Sequence, residues 1–471
     1  MKLRLGPCMI LAVLLTPLAW PQTGTGGSSS SSSSGSSQSG SDTSQSGSDT
    51  SQPQQASSGP KQVFNHPEQK PPLALLDEVP SPNFLNLGLS LGTSWDSNAA
   101  AFAAQGYSQT LITVQPFIGL QEVHPKVSWN LAYAGGFMYA PDRTYYNSMT
   151  HDATGSVLWQ ISPHWQITAS DSYLYTADPF SAYLVQQGTP SYNQPNPTVY
   201  IPLATLEQNA ATLNLTYQMT ARDSLTFTGN ENFRRYLHTS YSVYNEYTWG
   251  GLTAYQHVVS ARMVVGGAYS FTSIDFGHGV SRSGVSMFQG FASYLVSPHV
   301  VVTGWIGPEL TNTKSIIPVL CTPYGCFKEI VHQSSWNTAF GGTVGWNGIR
   351  NAISFTFAKQ VTDGGGLLGV TRLFLASANY LRQITPLWSA SLSGQYGTNT
   401  GISALYYHRH LDTLTGTFSL NRRFGPNWNA TLQYLRFYER QKNIYTAAVP
   451  KWTDNRVAFT LQYNWGHSLG R

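Results

Sequence analysis

Charge is scarce in this sequence. Only 10% of its 471 residues are Asp, Glu, Lys or Arg, whereas a water-soluble domain usually carries about 25%. The formal net charge of +4 is spread along the chain without a basic block, so it does not predict a nucleic-acid partner. A protein with so few charges does not expose most of its surface to water.

Long apolar runs are also missing. From residue 21 onward, no window holds the 18 or more apolar residues that a membrane helix needs, so a chain that crosses a bilayer must cross it as β-strands. The sequence has no G-x-S-x-G, H-E-x-x-H or P-loop motif. We therefore predict neither an enzyme nor a bound cofactor.

The N-terminal region divides into two segments. Residues 1–20 have a basic start and a short apolar run, which predicts a signal peptide, with a buried helix as the alternative. Residues 21–82 are rich in Ser and Gly and later in Pro, which predicts a disordered tether. A docking plug between residues 61 and 82 is the alternative for its last part. The remaining residues, 83–471, form the third predicted segment.

The stretch from Trp336 to Lys359 shows the pattern of this third segment. Bulky apolar residues alternate with small or polar ones, which predicts strands with one apolar face. Asn347-Gly348 predicts a two-residue turn that pairs Trp346 with Ile349. An aromatic face backed by Ser, Thr, Gly and Ala indicates a barrel that is apolar outside and polar inside.

Eight short connections punctuate the segment. Most are about 40 residues apart, and each interval holds two long strands, whereas a propeller blade needs four short ones. The pattern predicts an all-β, up-and-down antiparallel transmembrane barrel of about 18 strands, from 84–95 to 454–465, with both ends on the short-turn side. The connections lie at 124–126, 162–164, 220–223, 260–262, 297–299, 347–348, 385–387 and 425–427.

Tryptophan clusters beside these turns, as in the aromatic girdle at a membrane interface. We predict that Tyr139, Tyr175, Tyr236 and Tyr438 belong to a second girdle at the other strand ends. The predicted turn-side girdle consists of Trp129, Trp159, Trp165, Trp346, Trp388, Trp428 and Trp465.

Two stretches resemble known barrels. The alternation Val457, Phe459, Leu461, Tyr463, Trp465 resembles the C-terminal assembly signal of bacterial outer-membrane barrels, although residues 466–471 follow where that signal ends in Phe. Leu-Ser-Leu-Gly-Thr-Ser-Trp-Asp-Ser-Asn at 89–98 resembles the opening strand of the β-barrel porin type-2 group, related to exopolysaccharide-associated barrels. The resemblance implies an outer-membrane location, contact with outer-membrane lipid, and insertion by the barrel-assembly machinery through the last strand.

The connection at about 176–205 is the longest. In trimeric general porins the loop at this ordinal position narrows the lumen, and the resemblance implies the same here. Its Tyr and amide side chains suit neutral sugars, while an external lid or adhesive loop is the alternative. The candidate constriction residues are Asp178, Tyr183, Tyr192, Asn193, Asn196 and Tyr200.

Other sequence features point to local chemistry. Cys321 and Cys326, in the connection between the eleventh and twelfth strands, predict a disulfide, with a metal pair as the lesser alternative. His408 and His410 share one strand face, but the sequence supplies no third ligand nearby, so we predict no metal site.

Two carboxylates conflict with the pattern. The alternation places Asp171 and Glu231 on the lipid-facing side, where a charge is costly. Either a β-bulge reverses the face, or this wall meets a neighbouring subunit. The whole sequence predicts a monomeric or homotrimeric channel for passive diffusion of small hydrophilic solutes, among them neutral sugars. The alternatives are a component of exopolysaccharide export and a structural or adhesive barrel plugged by its own loops.

Overall fold

The structure is a computed structural model. It describes residues 83–98, 108–141, 147–177, 198, 205–237, 245–277, 279–322, 325–365, 369–402, 409–443 and 451–469. The described residues contain no helix long and apolar enough to cross a membrane. The predicted signal peptide (1–20) and tether (21–82) lie outside the described residues and stay predictions.

In the described residues, eighteen antiparallel strands form one sheet, as predicted. Each strand pairs with the next in the sequence, and β1 pairs with β18 from Phe84↔Ser468 to Asp96↔Arg456, which closes the barrel. The strands are β1 Phe84–Asp96, β2 Gln109–Val123, β3 Val127–Tyr139, β4 Ser148–Gln160, β5 Trp165–Thr176, β6 Thr205–Gln218, β7 Asp223–Leu237, β8 Glu246–Ser260, β9 Met263–Phe276, β10 Ser281–Ser297, β11 Val300–Thr322, β12 Gly325–Asn347, β13 Asn351–Thr362, β14 Thr371–Thr385, β15 Trp388–Gly401, β16 Arg409–Phe424, β17 Trp428–Asn443 and β18 Lys451–Ser468.

Large apolar side chains lie on the outside of this barrel. Phe355 and Leu392 are 44% and 55% exposed, while their strand neighbours Thr356 and Ser391 face inward and bond hydroxyls of adjacent strands. Because side chains alternate across a strand, one face of each strand is apolar and the other is polar. This inside-out distribution is that of a transmembrane barrel.

All eight predicted short turns connect strands at one end of the barrel. At the turn between β6 and β7, the carboxylate of Asp223 lies 2.5 Å from Thr220 Oγ1, 2.6 Å from Tyr255 Oη and 2.7 Å from His257 Nδ1. These hydrogen bonds tie the start of β7 to the turn and to β8. Both ends of the barrel, Phe84 and Ser468, also lie on this turn side.

The predicted register of the hairpin formed by β12 and β13 is wrong. Trp346 lies opposite Ile353 rather than Ile349, and residues 348–350 connect the strands. The Gly348 amide donates to the Asn351 carbonyl at 2.7 Å, and Gly348 is not among the positive-φ glycines that a tight two-residue turn requires. The register is shifted by four residues, an even number, so the predicted faces remain correct.

The predicted connection around Cys321 and Cys326 is also corrected, because both residues lie within strands. β11 and β12 stay paired as far as Thr322↔Gly325, and Cys321 lies opposite Cys326 in that register. The disulfide between them stays a prediction.

β12 and β13 separate before their far ends. They pair only from Phe340↔Lys359 to Asn347↔Ala352, whereas β11 and β12 pair over almost their whole length. Beyond Lys359, the Val361 amide donates to Glu309 Oε2 on the inner face of β11 at 3.1 Å. The end of β13 therefore leans into the lumen.

Candidate functional site: the lumen and its constriction

The turn-side half of the lumen wall is almost uncharged, with many polar side chains and one apolar cluster that includes Phe291 and Trp305. Among the described residues within seven positions of each strand's turn-side end, the one charged side chain that points inward is Arg423. Hydroxyls and amides bond one another along this wall, as in Ser391 with Ser419 at 2.6 Å and Thr228 with Asn214 at 2.7 Å. Further inward polar residues are Gln121, Asn130, Gln166, Thr216, Asn379, Gln433, Thr460 and Gln462.

The connection between β5 and β6 reaches the opposite side of the barrel. Its one described residue, Thr198, is fully buried, and Asn399 Nδ2 of β15 donates to its Oγ1 at 2.6 Å. β15 is nine strands from β6 in a ring of eighteen. A Cβ on Gly397 would lie 2.5 Å from Thr198 Cγ2, so a glycine is needed at this contact. Thr198 therefore lies against the wall opposite β6.

The six candidate constriction residues of this connection lie outside the described residues. Asp178, Tyr183, Tyr192, Asn193, Asn196 and Tyr200 therefore remain predictions. Thr198 was not singled out in the sequence, because nothing local marks a threonine that will face a strand nearly 200 residues away.

A second segment enters the lumen between β13 and β14, and sequence reasoning missed it. Tyr236 Oη donates to the Gly365 carbonyl at 2.8 Å, and Arg234 Nη1 lies 3.9 Å from Asp363 Oδ1. Gly365 and Gly369 have φ of 61° and 65°, values that favour glycine. The glycine run that begins at Gly364 was the available signal, but such a run is equally common in external loops.

Several charges on this loop-side half are buried and paired, whereas the buried carboxylate of Glu439 on β17 has no hydrogen-bond partner among the described residues. Arg234 lies 3.8 Å from Glu246 as well as near Asp363, and all three side chains are at most 4% exposed. Arg456 Nε lies 3.5 Å from Asp96 Oδ1 on the seam between β18 and β1. Each cation faces a carboxylate, because a buried charge without a partner would be strongly destabilising.

Apolar residues also fill part of the loop-side half. Val361 and Val370 pack against Ile274 and Val285 of the inner wall, together with Ile402. This cluster fixes the inward segment to β9 and β10. The lumen is therefore lined mainly by uncharged groups toward the turns and narrowed by two inward segments toward the loops.

The seven predicted girdle tryptophans, from Trp129 to Trp465, all lie on outward positions at the turn side. Trp165 stacks on Tyr217 with 4.5 Å between ring centroids, and the Arg422 guanidinium lies 4.9 Å from the Trp388 ring. At the other end, Trp95, Trp249 and Trp336 are exposed outward. The prediction that Tyr236 belongs to the second girdle is wrong, because its side chain faces the lumen.

Of the two candidate histidines, His408 lies outside the described residues. The His410 ring Nδ1 lies 3.0 Å from Thr400 Oγ1 of the neighbouring strand. In the part of the chain that the structure describes, no group of three or more His, Cys, Asp or Glu could hold a metal ion.

These features define a porin-like transmembrane β-barrel of bacterial outer-membrane type. It is closed, has an even number of strands, carries an apolar outer band with aromatic girdles, and has short turns at one end. The protein is located in the bacterial outer membrane.

Several solved bacterial structures are similar to this chain at very low sequence identity. OccK2 (OpdF) of Pseudomonas aeruginosa is 8% identical, with a TM-score of 0.42 over 81% of this chain and 98% of that chain. OccAB3 of Acinetobacter baumannii is 8% identical, with a TM-score of 0.40 over 82% and 99%. OpdK of Pseudomonas aeruginosa is 8% identical, with a TM-score of 0.41 over 81% and 99%. No protein-family model and no curated protein sequence matches the chain.

Proposed function

We propose that the protein is a channel for passive diffusion of small, uncharged hydrophilic solutes, with sugars as the main class. The uncharged turn-side wall is the observation that carries this proposal. Its amides and hydroxyls exchange hydrogen bonds readily with sugar hydroxyls, whereas a charged solute would meet few groups of opposite sign there.

The dimensions agree with small cargo. Barrels of about 16–18 strands are wide enough to hold an aqueous channel. The segments at Thr198 and at 363–365 reduce that width on the loop side. A bulky polymer would have to displace both segments, so the inward contacts favour small solutes over exported polysaccharide.

The test is reconstitution of the full-length chain in planar bilayers and in liposomes. We expect a steady open conductance, a reversal potential close to zero in a salt gradient, and faster liposome swelling in a neutral hexose than in the sugar acid of the same size. A barrel that conducts only after a partner protein is added would overturn the proposal in favour of export, and faster entry of the acid would overturn its preference for neutral solutes.

A further inference from the structure

The outer face of β4 to β8 carries an unusual row of side chains. Following the register across these strands, Gly155 lies opposite Asp171, Asp171 opposite Ala211, Ala211 opposite Glu231, and Glu231 opposite Trp249. The pairing of these strands has no register shift at either carboxylate. A β-bulge therefore does not turn Asp171 or Glu231 inward, and both acids belong to the outer surface.

Asp171 lies deep in the apolar band of the membrane, where a charged side chain is costly. It lies six residues beyond Trp165 of the turn-side girdle. At about 3.3 Å per residue and a strand tilt of about 40°, that is roughly 15 Å into an apolar band of about 25 Å. Acyl chains rather than headgroups lie at that depth, and they offer a carboxylate no hydrogen bond.

Neighbouring outward residues form a polar network around the two acids. Asn209 Nδ2 donates to Asp171 Oδ1 at 2.7 Å, and Tyr247 Oη donates to Glu231 Oε1 at 3.0 Å. Arg235 pairs with Glu207. The side chains beside Asp171 are small, namely Gly155 and Ala211, so the surface is flat there and another wall could approach closely.

Among its described residues, the opposite wall, β13 to β17, has no outward carboxylate at the depth of Asp171, and the outward charges Asp412 and Arg436 lie nearer the loop side. The outward positions of β13 from Ile353 to Phe357, of β15 from Trp388 to Tyr396 and of β16 from Leu414 to Leu420 carry no charge. Lipid is the natural neighbour of that wall. The difference indicates that β4 to β8 meet a different neighbour.

We propose that the outer face of β4 to β8 is a contact surface for a second copy of this chain. Copies inserted in one membrane share the same orientation, so groups at equal depth meet when two barrels lie side by side. The two edges of the patch are complementary. On β4, the Nδ1 atom of His151 lies 2.9 Å from Tyr133 Oη. His151 lies at a similar depth in the membrane to the carboxylate of Glu231 on β7. In a side-by-side pair, the β4 edge of one copy faces the far edge of the other.

A lipid headgroup fits this patch less well. The three carboxylates Asp171, Glu207 and Glu231 outnumber the single guanidinium of Arg235, so the patch repels phosphate. A second copy supplies polar groups that can hydrogen-bond to these carboxylates. It also shields the carboxylates from the acyl chains.

The test is disulfide cross-linking of the full-length chain in native membranes. Ala211→Cys puts a thiol in the patch, and Ala378→Cys is the matched control, an outward alanine on β14 that is also seven residues from the turn-side end of its strand. We expect mild oxidation to give severalfold more dimer-sized product with Ala211→Cys, above the background of the parent chain. Equal products from both variants would overturn the proposal.

A second variant removes the charge without adding a thiol. Asp171→Leu should keep the heat-dependent gel shift of a folded barrel but lose the oligomer band of an unheated gel, and Asp171→Asn should keep that band. An oligomer unchanged by Asp171→Leu, or a parent chain that is monomeric and retains bound phosphate-bearing lipid, would contradict the assignment.

Discussion

The two halves of the lumen are built differently. Toward the turns, the inner wall is almost uncharged, and its hydroxyls and amides bond their neighbours on adjacent strands. Toward the loops, the wall holds buried ion pairs and an apolar cluster that anchor inward segments. The first half provides a surface for solutes, and the second sets how much of the opening remains. Under the proposed function, solute specificity and size selection are therefore separated along the barrel axis.

The largest effect should come from Arg234→Met on the loop side. The substitution leaves Glu246 and Asp363 buried without their cation, which should lower the free energy of unfolding by about 3–5 kcal/mol. It should also loosen the segment at 363–365 and raise single-channel conductance. Urea unfolding in lipid vesicles measures the first effect. Arg423→Met, on the turn side, is the control, and an equal loss there would mean that the two halves do not differ.

Adding one negative charge to each half of the lumen tests the difference between the turn side and the loop side. Gln360 of β13 is 2% exposed, so Gln360→Glu should destabilise the barrel by several kcal/mol, on the order of the penalty for burying an ion. Gln433→Glu, on the turn side, should change stability by less than about 1 kcal/mol. Gln433→Glu should instead shift the reversal potential toward cation selectivity. If Gln433→Glu leaves the ion selectivity unchanged, the ions do not pass along this part of the inner wall.

Among the substitutions on the loop side, Asn399→Ala should have the smallest effect on stability. This change removes the hydrogen bond to Thr198 and the one from Thr371, which should cost about 1–2 kcal/mol. Conductance should nevertheless rise, because the β5–β6 connection loses its anchor on the far wall. Ser391→Ala on the same strand breaks only a contact within the wall, so its conductance should match that of the parent chain. Single-channel recordings compare the two variants.

Alternation within single strands was sufficient to predict the strands of the barrel wall, but not the segments that enter the lumen. Alternation fixed which way Phe355 and Asp171 point, because side-chain direction depends only on parity along a strand. The same property concealed the register error at Trp346, since a shift of four residues preserves every face. The contact between Thr198 and Asn399 depends on which strands lie across a closed ring, and no pattern within one strand contains that information.

The inward segment at 363–365 shows a second limit of the sequence. Its glycines indicate a turn, but its partners Arg234 and Tyr236 lie about 130 residues earlier in the chain. In β7 the alternation assigns Arg234 to the lumen, yet it does not say that Asp363, just after β13, will reach it. Long-range charge pairing of this kind becomes visible only once the ring is closed.

The seam between β1 and β18 has a consequence for how the protein is made. Phe84 pairs with Ser468, so the ring cannot close until nearly the whole chain has been delivered to the membrane. Loop-closure entropy grows only slowly with length, but contacts of such separation form late and make folding slow. Until that moment the nascent sheet has two bare edges that can recruit other chains. Shielding those edges, rather than forming any single hairpin, should be the slow and vulnerable step of biogenesis.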